Sequence, residues 1–237
     1  MDILPYDADI ENYQLILAPM LYMMKEGAAE RLQHFVQEGG VLVTTVMSGL
    51  ADENDRCVFG AYPGKLKDML GIWVEETDAL RPYEKNHMKM EEDSFLPQTE
   101  YECGFLCDII HPEGKAEVLA RYTEDFYAGM PCITRNRYGR GCAYYIGTQP
   151  EQGFLDGLMA NICEDLGIKG LYPASEGVEI TLRTSDKAEV IFVINHKKEE
   201  AFIDFGSDQL INLISGGRLT GTAAIAAGDV IVAKKVR

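Results

Sequence analysis

A strand, a helix and a second strand, packed between residues 13 and 46, constrain this chain more than any other stretch. Tyr13-Gln14-Leu15-Ile16-Leu17-Ala18 is a short apolar run closed by Pro19, the pattern of a strand covered on both faces of a parallel sheet. Residues 26–38 place Ala28, Leu32, Phe35 and Val36 on one helical stripe and leave Glu30, Arg31, Gln33 and Gln37 for water. Gly39-Gly40 ends that helix, since glycine takes the left-handed conformation needed just past a helix end. Val41-Leu42-Val43-Thr44-Thr45-Val46 follows as a β-branched strand. Two strands joined through a helix by short connections make a right-handed parallel crossover.

The loop after this unit, Ser48-Gly49-Leu50-Ala51-Asp52-Glu53-Asn54-Asp55, leaves the carboxyl end of the second strand. In open α/β sheets that edge is where ligands or partners meet the protein; an acidic solvated surface loop has the same composition. Gly60-Ala61-Tyr62-Pro63-Gly64 is a turn-forming cluster. Beyond it a short helix over Leu66, Met69 and Leu70 stops at Gly71, and Ile72-Trp73-Val74-Glu75-Glu76 reads as a strand whose Trp73 anchors a core or an interface. Residues 77–116 carry little periodicity apart from weak alternation at His87-Met88-Lys89-Met90-Glu91.

Periodicity returns at Glu117-Val118-Leu119-Ala120-Arg121-Tyr122, a strand, and at Cys132 to Asn136 and Gly141 to Ile146, a hairpin around Gly139. Arg135, Arg137 and Arg140 form the one basic spot of this part of the chain, able to bind an anion or to neutralise neighbouring carboxylates. Thr148-Gln149-Pro150-Glu151 has the spacing of a capping box. The helix expected after it shows Phe154, Leu155, Leu158, Met159, Ile162 and Leu166 on one face and Gly167 at its end. From Ala174 the texture changes to short strands at 178–183, 189–195, 201–205, 210–213 and 230–233, separated by glycines.

The 237 residues carry a formal net charge of -16, which speaks against nucleic acid or an anionic membrane as partner. Residues 1–173 hold 29 acidic and 14 basic residues and residues 174–237 hold 9 and 8. That shift divides the chain into a domain of residues 1–173 and a small antiparallel β domain of residues 174–237. The six cysteines lack a CxxC pair and suit free thiols in a reducing cytoplasm. Cys103 and Cys107, with His87 or His111, would be the only nearby zinc ligands, at looser spacing than zinc sites use. No apolar run reaches the ~20 residues that span a bilayer. The N-terminus lacks a signal-peptide pattern, and Asp2-Ile3-Leu4 starts as though a strand were already under way.

Chemistry is hard to place. No acid stands out as half of a glycosidase pair, and no glycine stretch has a phosphate-loop context. Met47-Ser48-Gly49 offers a serine at a strand end, with His111 or His87 as an imaginable base, but no Gly-x-Ser-x-Gly elbow.

Taken in order, several stretches resemble the middle domain of glycoside hydrolase family 42 β-galactosidases. They are Leu17-Ala18-Pro19-Met20-Leu21-Tyr22-Met23, Gly39-Gly40-Val41-Leu42-Val43-Thr44-Thr45, Ser48-Gly49 with Asp52-Glu53-Asn54-Asp55, and Gly60-Ala61-Tyr62-Pro63-Gly64. The likeness runs on through Leu70-Gly71-Ile72, Glu75-Glu76, Gly139-Arg140-Gly141 and Tyr145-Ile146-Gly147-Thr148 to Gly177-Val178-Glu179, Arg183 and Phe192-Val193-Ile194-Asn195-His196. The resemblance implies a Rossmann-like, glutamine-amidotransferase-like parallel sheet flanked by helices, without amidotransferase chemistry and serving trimerisation, then a small C-terminal antiparallel β domain. It also implies that the catalytic (β/α)8 barrel, which carries both catalytic glutamates in the family, is absent here, as are the first strand and helix of the trimerisation domain.

The expectation is therefore a non-catalytic oligomerisation fragment, cytoplasmic, without cofactor, metal or catalytic residues. Its full-length parent would be a homotrimer hydrolysing terminal β-D-galactosides with retention through the missing barrel. Ser48, Asp52, Glu53, Asp55, Tyr62 and Pro63 are expected to face a neighbouring subunit or pocket. Two alternatives stand beside it: an amidotransferase-like hydrolase using Ser48, and a carbohydrate-binding module with Tyr172 or Phe202 as a stacking platform.

Overall fold

The computed structural model describes residues 2–59, 62–92, 95, 96 and 98–236; Gly60 and Ala61 of the expected turn cluster lie outside the described residues. The chain forms two compact units, one of Ile3–Leu166 and one made chiefly of the residues from Gly167 onward.

In the first unit the expected crossover is present. Strand β1 (Leu15–Ala18) lies parallel to β3 (Val41–Thr45), with helix α1 (Ala28–Gln37) between them and a two-residue strand β2 (Met23–Met24) on the way. β4 (Ala51–Asp52) pairs with β2. A 3-10 turn (Gly64–Leu66) runs into the short helix α2 (Lys67–Leu70), after which β5 (Ile72–Ala79), β6 (Asn86–Met90) and β7 (Glu100–Pro112) follow. β8 (Glu117–Tyr122), β9 (Pro131–Tyr138), β10 (Gly141–Ile146) and β11 (Thr148–Pro150) lead to helix α3 (Gln152–Asp165).

Nine of these strands make one sheet in the order β1-β3-β10-β9-β8-β6-β7-β11, with β5 also on β7. It is mixed, which corrects the expected parallel sheet. β1, β3 and β10 are parallel, whereas every pairing from β10–β9 onward is antiparallel. The cause is chain length between strands. A parallel neighbour needs a crossover of a dozen residues or more, and β8, β9, β10 and β11 follow one another too closely for that.

Alternation on the central strands sends side chains to two cores. Leu42, Ala143 and Tyr145 pack with Ala29, Leu32, Phe35 and Val36 of α1 and Met69 and Leu70 of α2. Val43, Tyr144 and Ile146 pack on the opposite face with Phe154, Leu158 and Ile162 of α3. Helices thus cover both faces of the parallel part, which is why its strands read as continuous apolar runs.

Two further expectations change. Thr148 is no helix cap: it lies in β11, and α3 starts from Glu151 with no side-chain cap. The buried Thr148 hydroxyl lies 3.4 Å from the Gly104 carbonyl and 3.6 Å from Cys107 Sγ, in the β7 contact. The poorly periodic stretch 77–116 holds the longest strand, β7, 13 residues. Phe105 takes a left-handed backbone conformation in its middle (φ 64°) and shifts the register against β11, which breaks the alternation a sequence reading depends on.

The second unit is antiparallel in every strand pairing described. β12 (Val178–Ser185), β13 (Ala188–Asn195), β14 (Ala201–Asp204), β15 (Leu210–Asn212), β16 (Arg218–Leu219), β17 (Thr222–Ile225) and β18 (Val230–Lys235) follow in order. They divide into a five-stranded sheet, β12-β13-β18-β15-β16, and the pair β14–β17. Ile191, Val193, Ile203, Phe205, Leu210 and Ile225 fill its core. β16 and β17 escape a sequence reading because they are short and lie among glycines.

Candidate functional site

The candidate site is the carboxyl edge of the three parallel strands, where the loop after β3 leaves the sheet. Its base is tied down by hydroxyls. Thr45 Oγ1 accepts from the Met20 amide at 2.9 Å, and Ser48 Oγ accepts from the Leu21 amide at 3.0 Å. The Thr44 hydroxyl lies in donor geometry to both the Ala18 carbonyl at 2.8 Å and Ser48 Oγ at 2.7 Å, its one proton serving either. Ser48 is fully buried, with its oxygen held by the Leu21 amide and the Thr44 hydroxyl. Those partners tie Ser48 to the segment just past the end of β1 and to Thr44 of β3.

Met47 (φ 69°) and Gly49 (φ 76°) turn the chain out of the sheet. A side chain at Gly49 would place its first carbon 2.3 Å from the Pro63 carbonyl oxygen, so only glycine lets the two segments meet. The loop then runs beside residues 21–24 through β2 and β4. At its tip Asp52 Oδ1 accepts from the amides of Asn54 (2.8 Å) and Arg56 (3.0 Å), which hold its carboxyl below the usual range. Asp55 accepts from the Tyr22 hydroxyl at 2.9 Å and pushes that phenol up. Phe59 is 99% exposed.

The residues grouped from the sequence therefore separate. Asp52, Glu53 and Asp55 form the acidic tip, Glu53 and Asp55 being exposed and Asp52 half-buried. Ser48, Tyr62 and Pro63 are buried at the base.

Beneath the base lies a cluster that the sequence did not single out. Asp108 of β7 is fully buried. Its Oδ1 accepts from Thr77 of β5 at 2.6 Å, and its Oδ2 lies 2.5 Å from the Tyr145 hydroxyl and 3.0 Å from that of Tyr62. The two phenols are 2.7 Å apart, and the Met47 amide donates to Tyr62. Burial without a cation pushes the Asp108 carboxyl up to about 6, although three hydroxyls oppose the shift. The only sequence signal was one acid inside the apolar run Cys107-Asp108-Ile109-Ile110.

The other candidates do not converge. Cys103 and Cys107 are buried in the core under α3. His87 pairs with Glu124 at 3.0 Å, and His111 stacks on Trp73 at 4.1 Å and meets Glu75 at 2.7 Å. Among the described residues no three His, Cys, Asp or Glu side chains are placed to hold a metal. Arg135 and Arg140 pair with Glu117 and Glu38, the neutralising alternative for the basic spot. Tyr172 packs in a T-shaped contact with Phe205, its hydroxyl on Asp208, while Phe202 is 48% exposed. No helix among the described residues is long and apolar enough to cross a membrane.

Comparison with known proteins places this architecture. The family model for the β-galactosidase trimerisation domain matches residues 1–169, and that for the β-galactosidase C-terminal domain matches residues 177–235. β-Galactosidase BgaP of Planococcus sp. (strain L4) is 39% identical over 236 residues, 100% of this chain and 35% of BgaP. β-Galactosidase Pbg of Clostridium perfringens is 41% identical over 221 residues, 92% of this chain and 32% of Pbg. The crystal structure of β-galactosidase from Bacillus circulans sp. alkalophilus superposes with a TM-score of 0.88 at 42% identity, covering 98% of this chain and 34% of that one. A GH42 β-galactosidase from G. stearothermophilus, Gan42B, gives 0.83 at 30% identity, covering 98% and 33%. The chain spans about a third of the length of these relatives. By the match over its first 169 residues, the chain belongs to the β-galactosidase trimerisation-domain family, and it carries the β-galactosidase C-terminal domain behind it.

Proposed function

We propose that this chain is the scaffold of a retaining β-galactosidase, the part that joins three copies while a separate barrel cleaves terminal β-D-galactosides. The observation that carries the reading is the pairing of a trimerisation-domain match over residues 1–169 with a carboxyl edge whose hydroxyls and acids hold a loop. The parallel β1-β3-β10 core under helices on both faces supports an amidotransferase-like origin for that fold. Galactoside would meet the assembled enzyme through the barrel; the net charge of -16 supports neither nucleic acid nor membrane as partner. Six unbridged cysteines support a cytoplasmic setting. We place the domain junction within 167–173, and we assign Asp52, Glu53 and Asp55 to the surface facing a neighbouring subunit or its pocket, with Ser48, Tyr62 and Pro63 supporting it from below.

Light scattering on the purified chain tests this. Three copies per particle are expected, and no turnover of a chromogenic β-galactoside. The triple variant Asp52→Asn, Glu53→Gln, Asp55→Asn should weaken association while leaving the fold intact by circular dichroism. A strictly monomeric chain at high concentration, or clear turnover, refutes the reading.

A further inference from the structure

We propose that Asp108, Tyr62 and Tyr145 form a proton-linked latch on the 47–59 loop, closed by one proton and loosened when that proton leaves. The basis is a count of hydrogens. Three oxygens, Asp108 Oδ2 and the two phenols, form a triangle with edges of 2.5, 2.7 and 3.0 Å. With the carboxylate ionised, only the two phenolic protons are available for three edges. Both phenols donate to Asp108 Oδ2, Tyr145 across the 2.5 Å edge and Tyr62 across the 3.0 Å edge, leaving the 2.7 Å edge between the phenols without a hydrogen. A proton taken from solvent onto Oδ2 donates to the Tyr62 oxygen and lets Tyr62 turn its own hydrogen to Tyr145, so that all three edges are filled. Tyr62 then accepts twice, from Asp108 and from the Met47 amide, which its two lone pairs allow.

Tyr62 is the link to the loop. Met47 begins the loop and donates to Tyr62, while Pro63 next to Tyr62 abuts Gly49. Asp108 itself cannot follow them, because β7 is held by β5 and β11 and the Asp108 amide donates to the Gly147 carbonyl at 2.7 Å. Around the carboxyl stand Thr77 from β5, Tyr145 from β10, Tyr62 and, at longer range, Tyr122 from β8. None of these is cationic, and the hydroxyls that favour the ionised form are outweighed by burial. The carboxyl accordingly titrates near 6 while the latch is closed, against roughly 3.9 for a solvated aspartate. Its value falls when the loop opens, so protonation favours the closed state. That preference is complete below about pH 4 and is lost as pH rises through 6.

Hydrogen–deuterium exchange read by mass spectrometry, corrected for the intrinsic pH dependence of exchange, tests the latch on the whole chain. The opening equilibrium of the peptide covering 47–59 should rise about tenfold between about pH 5 and about pH 7.5, while peptides from α3 and β13 stay level. Asp108→Asn should abolish the rise. Thr77→Val, which keeps the carboxyl and removes a donor that favours its ionised form, should move the midpoint upward and keep the slope. It carries the test should Asp108→Asn fail to fold. A level wild-type profile, a slope that survives in Asp108→Asn, or a midpoint that Thr77→Val leaves in place or lowers would overturn the proposal. The readout is local to one copy, so a failure to trimerise does not bear on it.

Discussion

The two halves of the large sheet are built by different rules. β1, β3 and β10 are parallel, short and covered by helices on both faces; β5 to β9 and β11 are antiparallel and follow one another through short connections, with a bulge at Phe105. In the parallel half successive residues face alternate cores, so apolar side chains dominate and the buried hydroxyls of Thr44 and Tyr145 are hydrogen-bonded. In the antiparallel half, strand order follows from local turns, and buried polar groups such as Asp108 and Thr134 are accommodated. Rigidity, on this contrast, resides in the first half and adjustable contacts in the second.

Substitutions can break or sharpen that contrast. The largest effect is expected where the halves meet. β10 is parallel to β3 on one side and antiparallel to β9 on the other. At its start a side chain on Gly141 would put a carbon 2.2 Å from the Gly40 carbonyl oxygen and 2.3 Å from that of Val36. Gly141→Ala therefore forces backbone apart and should cost about 4 kcal/mol or more in denaturant unfolding. Loss confined to exchange protection of α1, β1 and β3 would show that the halves unfold separately.

Leu42→Ala comes next. Leu42 is fully buried between β3 and α1, and its truncation should lower stability by about 3 kcal/mol. A loss under about 1 kcal/mol would mean that the parallel half relaxes into the cavity and is not the rigid part.

The smallest change should have the opposite sign. Phe105 is 58% exposed and held at φ 64°, a conformation a bulky residue adopts under strain. Phe105→Gly should raise stability by about 0.5 kcal/mol, the released strain slightly exceeding the lost contacts and the entropy of glycine. A clear destabilisation would mean that the bulge depends on the ring.

Legibility in the sequence followed the same division. The crossover from β1 to β3 stood out because its periods of two and 3.6 were clean and two glycines marked the helix end. The β9–β10 hairpin was visible through Gly139. The parallel sheet was over-extended because apolar strands do not carry their direction; only the connections do. Thr148 carried the spacing of a helix cap but was taken into β11, a case of sheet pairing overriding a local motif. For the site, the acidic tip could be read from composition. The buried base could not, because Asp108 gains its character from Thr77, Tyr62 and Tyr145, which stand 31, 46 and 37 positions away.

β7 serves two partners in series along one side: β6 pairs with Glu100 to Cys103 and β5 with Leu106 to Pro112, while β11 bridges the gap from the other side. Such a strand works like a key cut for two locks. Sliding by a residue against either partner would misalign the other, so each pairing proofreads its neighbour, and a mis-threaded intermediate would have no compact resting place.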